Sequence, residues 1–82
     1  MRSLHKEAQE AVGQAVWLCR RKSGVTQTDL AEAAGLDVKT IYHLEKGSRP
    51  ATIASLASVA SALDVSMQQL VPGYVLGGLR DE

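Results

Sequence analysis

His5, His43 and Cys19 are the side chains best suited to nucleophilic or metal chemistry in this sequence, and their spacing serves neither. One thiol cannot close an intramolecular disulfide, and a cysteine with two distant histidines forms no recognisable ligand set and no nucleophile–base pair. The segment "GYVLGG" near the end has glycines, but no following helix to make a phosphate cradle. No enzyme, metal or cofactor is therefore expected. The charged residues are better placed to act. Lys plus Arg and Asp plus Glu number nine each, a formal net charge of 0 at pH 7, which argues against bulk attraction to a polyanion or an anionic membrane. Yet Arg20, Arg21, Lys22, Lys39, Lys46 and Arg49 fall together in mid-sequence, while Glu7, Glu10, Asp81 and Glu82 collect near the termini. A neutral protein with a local basic face is the pattern this distribution permits.

The elements that must position those residues follow from punctuation and period. From Ser3 to Lys22, Ala, Glu, Gln and Leu dominate and a first helix is expected, ended by Gly24 in "KSGV". Thr26 and Asp29 form a capping-box pair at the start of "QTDLAEAA", a short second helix closed by Gly35. Asp37 is a good N-cap for a third helix from Val38 to about Lys46, stopped by Gly47. After Pro50, Thr52 caps "IASLASVASAL", where Ile53, Leu56, Ala60 and Leu63 recur at helical spacing. Ser66 with Gln69 repeats the capping-box pattern before "MQQLV", which Pro72 and Gly73 terminate. The reading is all-α, with no strands. An 82-residue chain that is 45% hydrophobic supports one small domain, here residues 1–73 with an extended first helix. Residues 74–82 form a C-terminal tail, flexible or docked on helix one. Such a chain buries a modest core, so a partner chain is a natural source of further burial. The opening residues hold no signal-like apolar run, and nothing approaches the roughly 18 apolar residues of a membrane span. A soluble, cytoplasmic protein without membrane association is expected, in keeping with the single cysteine.

Gln27, Leu30, Ala31, Gly35, Leu36, Ile41, Leu44, Glu45 and Gly47 are spaced as Q-x-x-L-A-x-x-x-G-L-x-x-x-x-I-x-x-L-E-x-G. Two helices crossing through a tight turn need a small residue where the axes approach, supplied by Ala31, and a conformationally tolerant one in the turn, supplied by Gly35. Leu30, Leu36, Ile41 and Leu44 fill the wedge. Over Val12 to Val71 this pattern resembles the phage lambda repressor and Cro-like family, also called the xenobiotic-response-element family, of bacterial helix-turn-helix regulators. The resemblance implies a compact five-helix DNA-binding domain with the helix-turn-helix at helices two and three. It also implies that Val38 to Lys46 is the recognition helix, its N-terminal half in the major groove of double-stranded DNA.

Carried over position by position, the resemblance makes Val38, Lys39, Tyr42 and His43 the base-reading candidates. Lys39 can donate to guanine O6 or N7, His43 can donate to or accept from a base edge or phosphate, and Val38 can touch a thymine methyl. For Tyr42, DNA contact and simple packing stand even. Gln27 falls where the family holds a phosphate through backbone amide and side chain at a helix N-terminus. Thr40, Lys46, Ser48 and Arg49 are further phosphate candidates. Arg20 and Glu45 occupy positions that pair across helices one and three in relatives, which would turn the guanidinium towards the DNA backbone and make Glu45 a positioning residue.

On helix one, Val12, Val16 and Cys19 map to the core, and a second stripe of Leu4, Ala8, Ala11, Ala15 and Leu18 runs beside them. Trp17 stands where relatives place a polar residue. Trp17 and Leu18 point to a partner chain, with Leu4, Leu76 and Leu79 as further dimer candidates; the competing reading folds Val75, Leu76 and Leu79 back over the stripe. The leading function is a sequence-specific DNA-binding transcriptional regulator, a repressor by preference, acting as a homodimer on a pseudo-palindromic operator. The alternative is a protein-interaction module or antitoxin-type partner protein using the same fold.

Overall fold

The structure, a computed structural model, describes the backbone from Leu4 to Val71 and side chains from Lys6 onward. The expectations for the side chain of Leu4 and for Val75, Leu76 and Leu79 lie outside the described residues. Within them the chain is helical, with no strand: α1 (Leu4–Ser23), α2 (Gln27–Ala34), α3 (Val38–Lys46), α4 (Ile53–Leu63) and α5 (Met67–Leu70). No described helix is long and apolar enough to cross a membrane.

The boundaries follow the capping chemistry. Thr26 Oγ1 accepts from the Asp29 N–H at 3.0 Å, and the Thr26 N–H donates back to Asp29 Oδ2 at 3.3 Å. Asp37 Oδ1 accepts from the Lys39 N–H at 2.8 Å, and Thr52 Oγ1 from the Ser55 N–H at 3.0 Å. These bonds satisfy donors that no helix can pair internally. Gly35 and Gly47 close α2 and α3 with φ of 72° and 70°, in the left-handed region where a side chain is disfavoured. Asp64 closes α4 with φ 58°, a cap the sequence reading did not anticipate, although Asp tolerates this region better than most residues.

The core joins Val12 and Val16 of α1, Leu30 and Ala31 of α2, Ile41 and Leu44 of α3, Leu56, Val59, Ala60 and Leu63 of α4, and Leu70 of α5. Cys19 and Leu36 pack against it, half-buried, so the thiol acts as a small apolar filler. The helix read from the spacing of Ile53, Leu56, Ala60 and Leu63 is present as α4, but Ile53, in its first turn, is 75% exposed. Val59, absent from the expected repeat, is fully buried instead.

Candidate nucleic-acid interface

The position of α3 is set from inside. α1 crosses its C-terminal turn so closely that a Cβ on Gly13 would sit 2.5 Å from the Leu44 carbonyl oxygen and 2.6 Å from that of Glu45. Three residues further along the chain, a Cβ on Gly47 would lie 2.8 Å from Glu10 Cα. Backbone therefore meets backbone at the α1–α3 crossing, and side chains larger than hydrogen are excluded there. Gly13 carries no role in the motif spacing, yet it sits at this crossing. A lone glycine in an otherwise helical run was the available signal, since it weakens the helix unless something packs close.

A charged network fixes the other flank of α3. Arg20 Nε donates to Glu45 Oε2 at 2.5 Å and Arg20 Nη2 to Glu45 Oε1 at 3.1 Å, a two-point guanidinium–carboxylate pair. Arg20 Nη1 donates to the Val25 carbonyl at 3.0 Å, and Gln27 Nε2 donates to Glu45 Oε1 at 3.0 Å. The Arg20 and Glu45 side chains are only 12% and 4% exposed, so the pair is sheltered from the screening that makes surface ion pairs weak. One carboxylate thus ties α1, the α1–α2 turn and the first residue of α2 to α3. The expectation that Gln27 meets a phosphate through its side chain is altered in one respect: its carboxamide nitrogen is engaged by Glu45. The N–H of Gln27, in the first turn of α2, has no intrahelical acceptor, as in any helix.

The outward side of α3 is built differently. Successive residues of a helix turn by about 100°, so with Ile41 and Leu44 buried, Lys39 and Lys46 point away from the core. Tyr42 and His43 flank them. Val38 and Tyr42 are 41% and 46% exposed; Lys39, Thr40, Lys46, Ser48 and Arg49 are exposed and His43 is half-buried. Of the two readings for Tyr42, its exposure goes against a place in the core. The Tyr42 and His43 rings meet edge to face, 5.3 Å apart at 71°, and Lys46 Nζ lies 5.4 Å from the Tyr42 ring centroid. His43 Nδ1 is 2.9 Å from Ser48 Oγ. On the α1–α2 side of this face, a groove of about 510 Å³ is lined by Arg20, Arg21, Thr26, Gln27, Thr28 and Val38, among others. On the α4 side, Thr40, His43, Arg49, Pro50 and Ser55 line a cleft of about 100 Å³. Basic side chains and the N-terminus of α2 therefore flank the exposed α3, an arrangement that can receive anions on either side of that helix.

On α1, Trp17 and Leu18 are 39% and 46% exposed, while Ala8, Ala11 and Ala15 are half-buried. The Arg21 guanidinium carbon lies 5.0 Å from the Trp17 ring centroid, so part of the indole face is already occupied by a cation.

Comparison with known proteins agrees with this geometry. The sequence matches the helix-turn-helix family over residues 18–70. The HTH-type transcriptional regulator YazB of Bacillus subtilis (strain 168), itself uncharacterised, is 30% identical over 63 residues, 77% of this chain and 91% of YazB. The restriction-modification controller protein C.AhdI of Aeromonas hydrophila superposes with a TM-score of 0.73 at 29% identity, covering 76% of this chain and 94% of its own. The clp gene regulator ClgR of C. glutamicum superposes with a TM-score of 0.75 at 30% identity, covering 96% of both chains. With α2 and α3 set at a tight glycine turn, α3 seated by Ile41, Leu44 and Glu45, and these relatives alongside, the chain belongs to the lambda-repressor- and Cro-like, or xenobiotic-response-element, family of helix-turn-helix DNA-binding transcription regulators.

Proposed function

We propose that this chain is a sequence-specific regulator that binds an operator in double-stranded DNA as a homodimer and represses transcription by occupying promoter DNA. The observation that carries the reading is the division of α3. Its inner side is locked by packing and by the Arg20–Glu45–Gln27 network, while Val38, Lys39, Tyr42, His43 and Lys46 are left to face outward. Lys39, His43 and Val38 are the base readers. Thr40, Lys46 and Arg49, with the first-turn amides of α2 at Gln27, hold phosphates, and Arg20 supports them from its pair with Glu45. Two-fold symmetry would place the half-sites about one helical turn apart. The names of the relatives, a controller protein and a gene regulator, agree with control of transcription.

Trp17 and Leu18, exposed apolar side chains on α1, support self-association there, and Ile53 on α4 offers a second surface. Light scattering of Leu18→Glu beside Ile53→Glu separates the two. Loss of the dimer in the first variant alone supports α1, and loss in the second alone moves the interface to α4.

The test of DNA recognition is selection of bound duplexes from a random pool, followed by titration of salt against affinity for the winner. Affinity should fall steeply with salt, with a slope set by the phosphates contacted. Failure to bind any duplex at low salt would end this reading in favour of a protein-interaction module, a role that the exposed Trp17, Leu18 and Ile53 also suit.

A further inference from the structure

We propose that Ser48 is a positioning residue that holds the His43 imidazole in its Nδ1–H tautomer, so that Nε2 reads an exocyclic amino group, on adenine or cytosine, in the major groove. The inference rests on the reading of α3 as the recognition helix and names the chemistry that one of its side chains recognises.

Gly47 turns the chain back over the end of α3 with φ 70°, and the Ser48 N–H donates to the His43 carbonyl at 3.2 Å. That turn delivers the Ser48 hydroxyl to the His43 ring, with Oγ 2.9 Å from Nδ1. The same Oγ lies 3.5 Å from the His43 carbonyl oxygen. A hydroxyl has one proton to give. When Nδ1 carries a proton, the imidazole donates to Oγ and the hydroxyl proton is directed at the carbonyl, so both neighbours are met by a donor. In the other tautomer the hydroxyl proton goes to Nδ1, and Oγ faces the carbonyl lone pair to lone pair. The first arrangement is the better satisfied, and a histidine's tautomer is set by the hydrogen bond that its second nitrogen makes. The edge-to-face contact with Tyr42, at 5.3 Å between ring centroids, is a second contact on the ring.

A neutral Nδ1–H imidazole presents a bare lone pair at Nε2. In the major groove that lone pair is complementary to adenine N6 or cytosine N4, whereas guanine O6 and N7 and thymine O4 are acceptors that oppose it. Lys39, one turn earlier on the same face, carries only donors. Neighbouring positions on α3 thus read opposite polarities, which gives two side chains more discrimination than two donors would supply.

Imidazole long-range ¹H–¹⁵N spectra of the free protein at pH about 8, where histidines are ordinarily neutral, test the tautomer without DNA. The wild type should show Nδ1–H, Ser48→Ala should shift the population towards Nε2–H, and Ser48→Thr, which keeps the hydroxyl, should restore it. Duplex selection at the same pH should enrich adenine or cytosine at one half-site position. That preference should weaken roughly fivefold to tenfold in Ser48→Ala, the size of one hydrogen bond, disappear in His43→Ala and return in Ser48→Thr. An Nε2–H ring in a protein that binds DNA would overturn the inference alone. So would a Ser48→Ala variant that weakens all sequences alike, since Ser48 would then be holding a phosphate. An Nδ1–H ring in a protein that selects no duplex would overturn the DNA reading, and the base readout with it.

Discussion

On its inner side α3 is held by Ile41 and Leu44 in the core, by backbone contact at Gly13 and by a carboxylate that accepts from Arg20 and Gln27. On its outer side Val38, Lys39, Tyr42 and Lys46 stand exposed, with Lys46 lying over the Tyr42 ring. The inner contacts are short, directional and intolerant of added volume, which fixes the helix as a rigid body. The outer side chains are long-stemmed and adaptable, and on the proposed reading they contact DNA and can change without moving the helix. A family can therefore keep one mount and carry many specificities.

Substitutions on the inner side should produce the largest effects. Glu45→Ala removes the shared acceptor and strands a guanidinium that is 12% exposed. Breaking one partner of a sheltered pair leaves a charge uncompensated, so a loss of about 3 kcal/mol in urea unfolding is expected. Glu45→Gln keeps an acceptor and the shape, and should lose about half as much. Equal, small losses in both variants would show that the network is a solvated surface pair and that the inner side is not rigid in the sense argued.

Gly13→Ala is next in size. The new methyl carbon would lie 2.5 Å from the Leu44 carbonyl oxygen, and overpacking of this kind costs about 1–3 kcal/mol, offset by about 1 kcal/mol from better helix propensity. A small net loss in unfolding should therefore accompany a clear loss of operator affinity, because the only relief is for α1 and α3 to part. A variant that binds DNA as the wild type does would show that the seat of α3 has slack.

Lys39→Ala belongs to the outer side. It should leave unfolding unchanged while relaxing preference at one base position by about 1–2 kcal/mol; Arg49→Ala should weaken all sequences alike and lower the salt slope by about one. If both variants act uniformly, base readout does not reside at Lys39.

The two sides were also unequally legible in the sequence. Caps and turns are local chemistry, so Thr26, Asp37, Thr52, Gly35 and Gly47 announced the helix boundaries and the structure keeps them. The Arg20–Glu45 pair was reachable only through the family pattern, since 25 residues separate its members. Gly13 was not legible as a contact, because its meaning depends on a carbonyl that the fold brings from Leu44. Ile53 shows the converse: its spacing belongs to the helix, yet it is 75% exposed, because periodicity fixes a face and not how far along that face the covering extends. Gln27 and Ser48 show the remaining limit. The family pattern implies a phosphate for each, and each also has a hydrogen-bond partner within the protein, at Glu45 and His43, that spacing alone does not reveal.

The smallest effect should come from Tyr42, and it bears on how independent the outer side is. Lys46 Nζ lies 5.4 Å from the ring centroid, a cation–π contact worth about 0.5–1 kcal/mol at an exposed site. Tyr42→Phe preserves the ring and should leave unfolding, affinity and salt slope within error. Tyr42→Ala frees the Lys46 ammonium, at a cost of no more than about 1 kcal/mol in unfolding. If Lys46 reaches a phosphate from its place over the ring, Tyr42→Ala should weaken binding to all sequences alike, because the lysine must then be ordered on binding. If the ring instead holds Lys46 back from the DNA, the same variant should bind more tightly and with a steeper salt slope. Measured beside Lys46→Met and the double variant, the sign of the coupling decides whether Tyr42 presents its neighbour to the phosphates or competes with them for it.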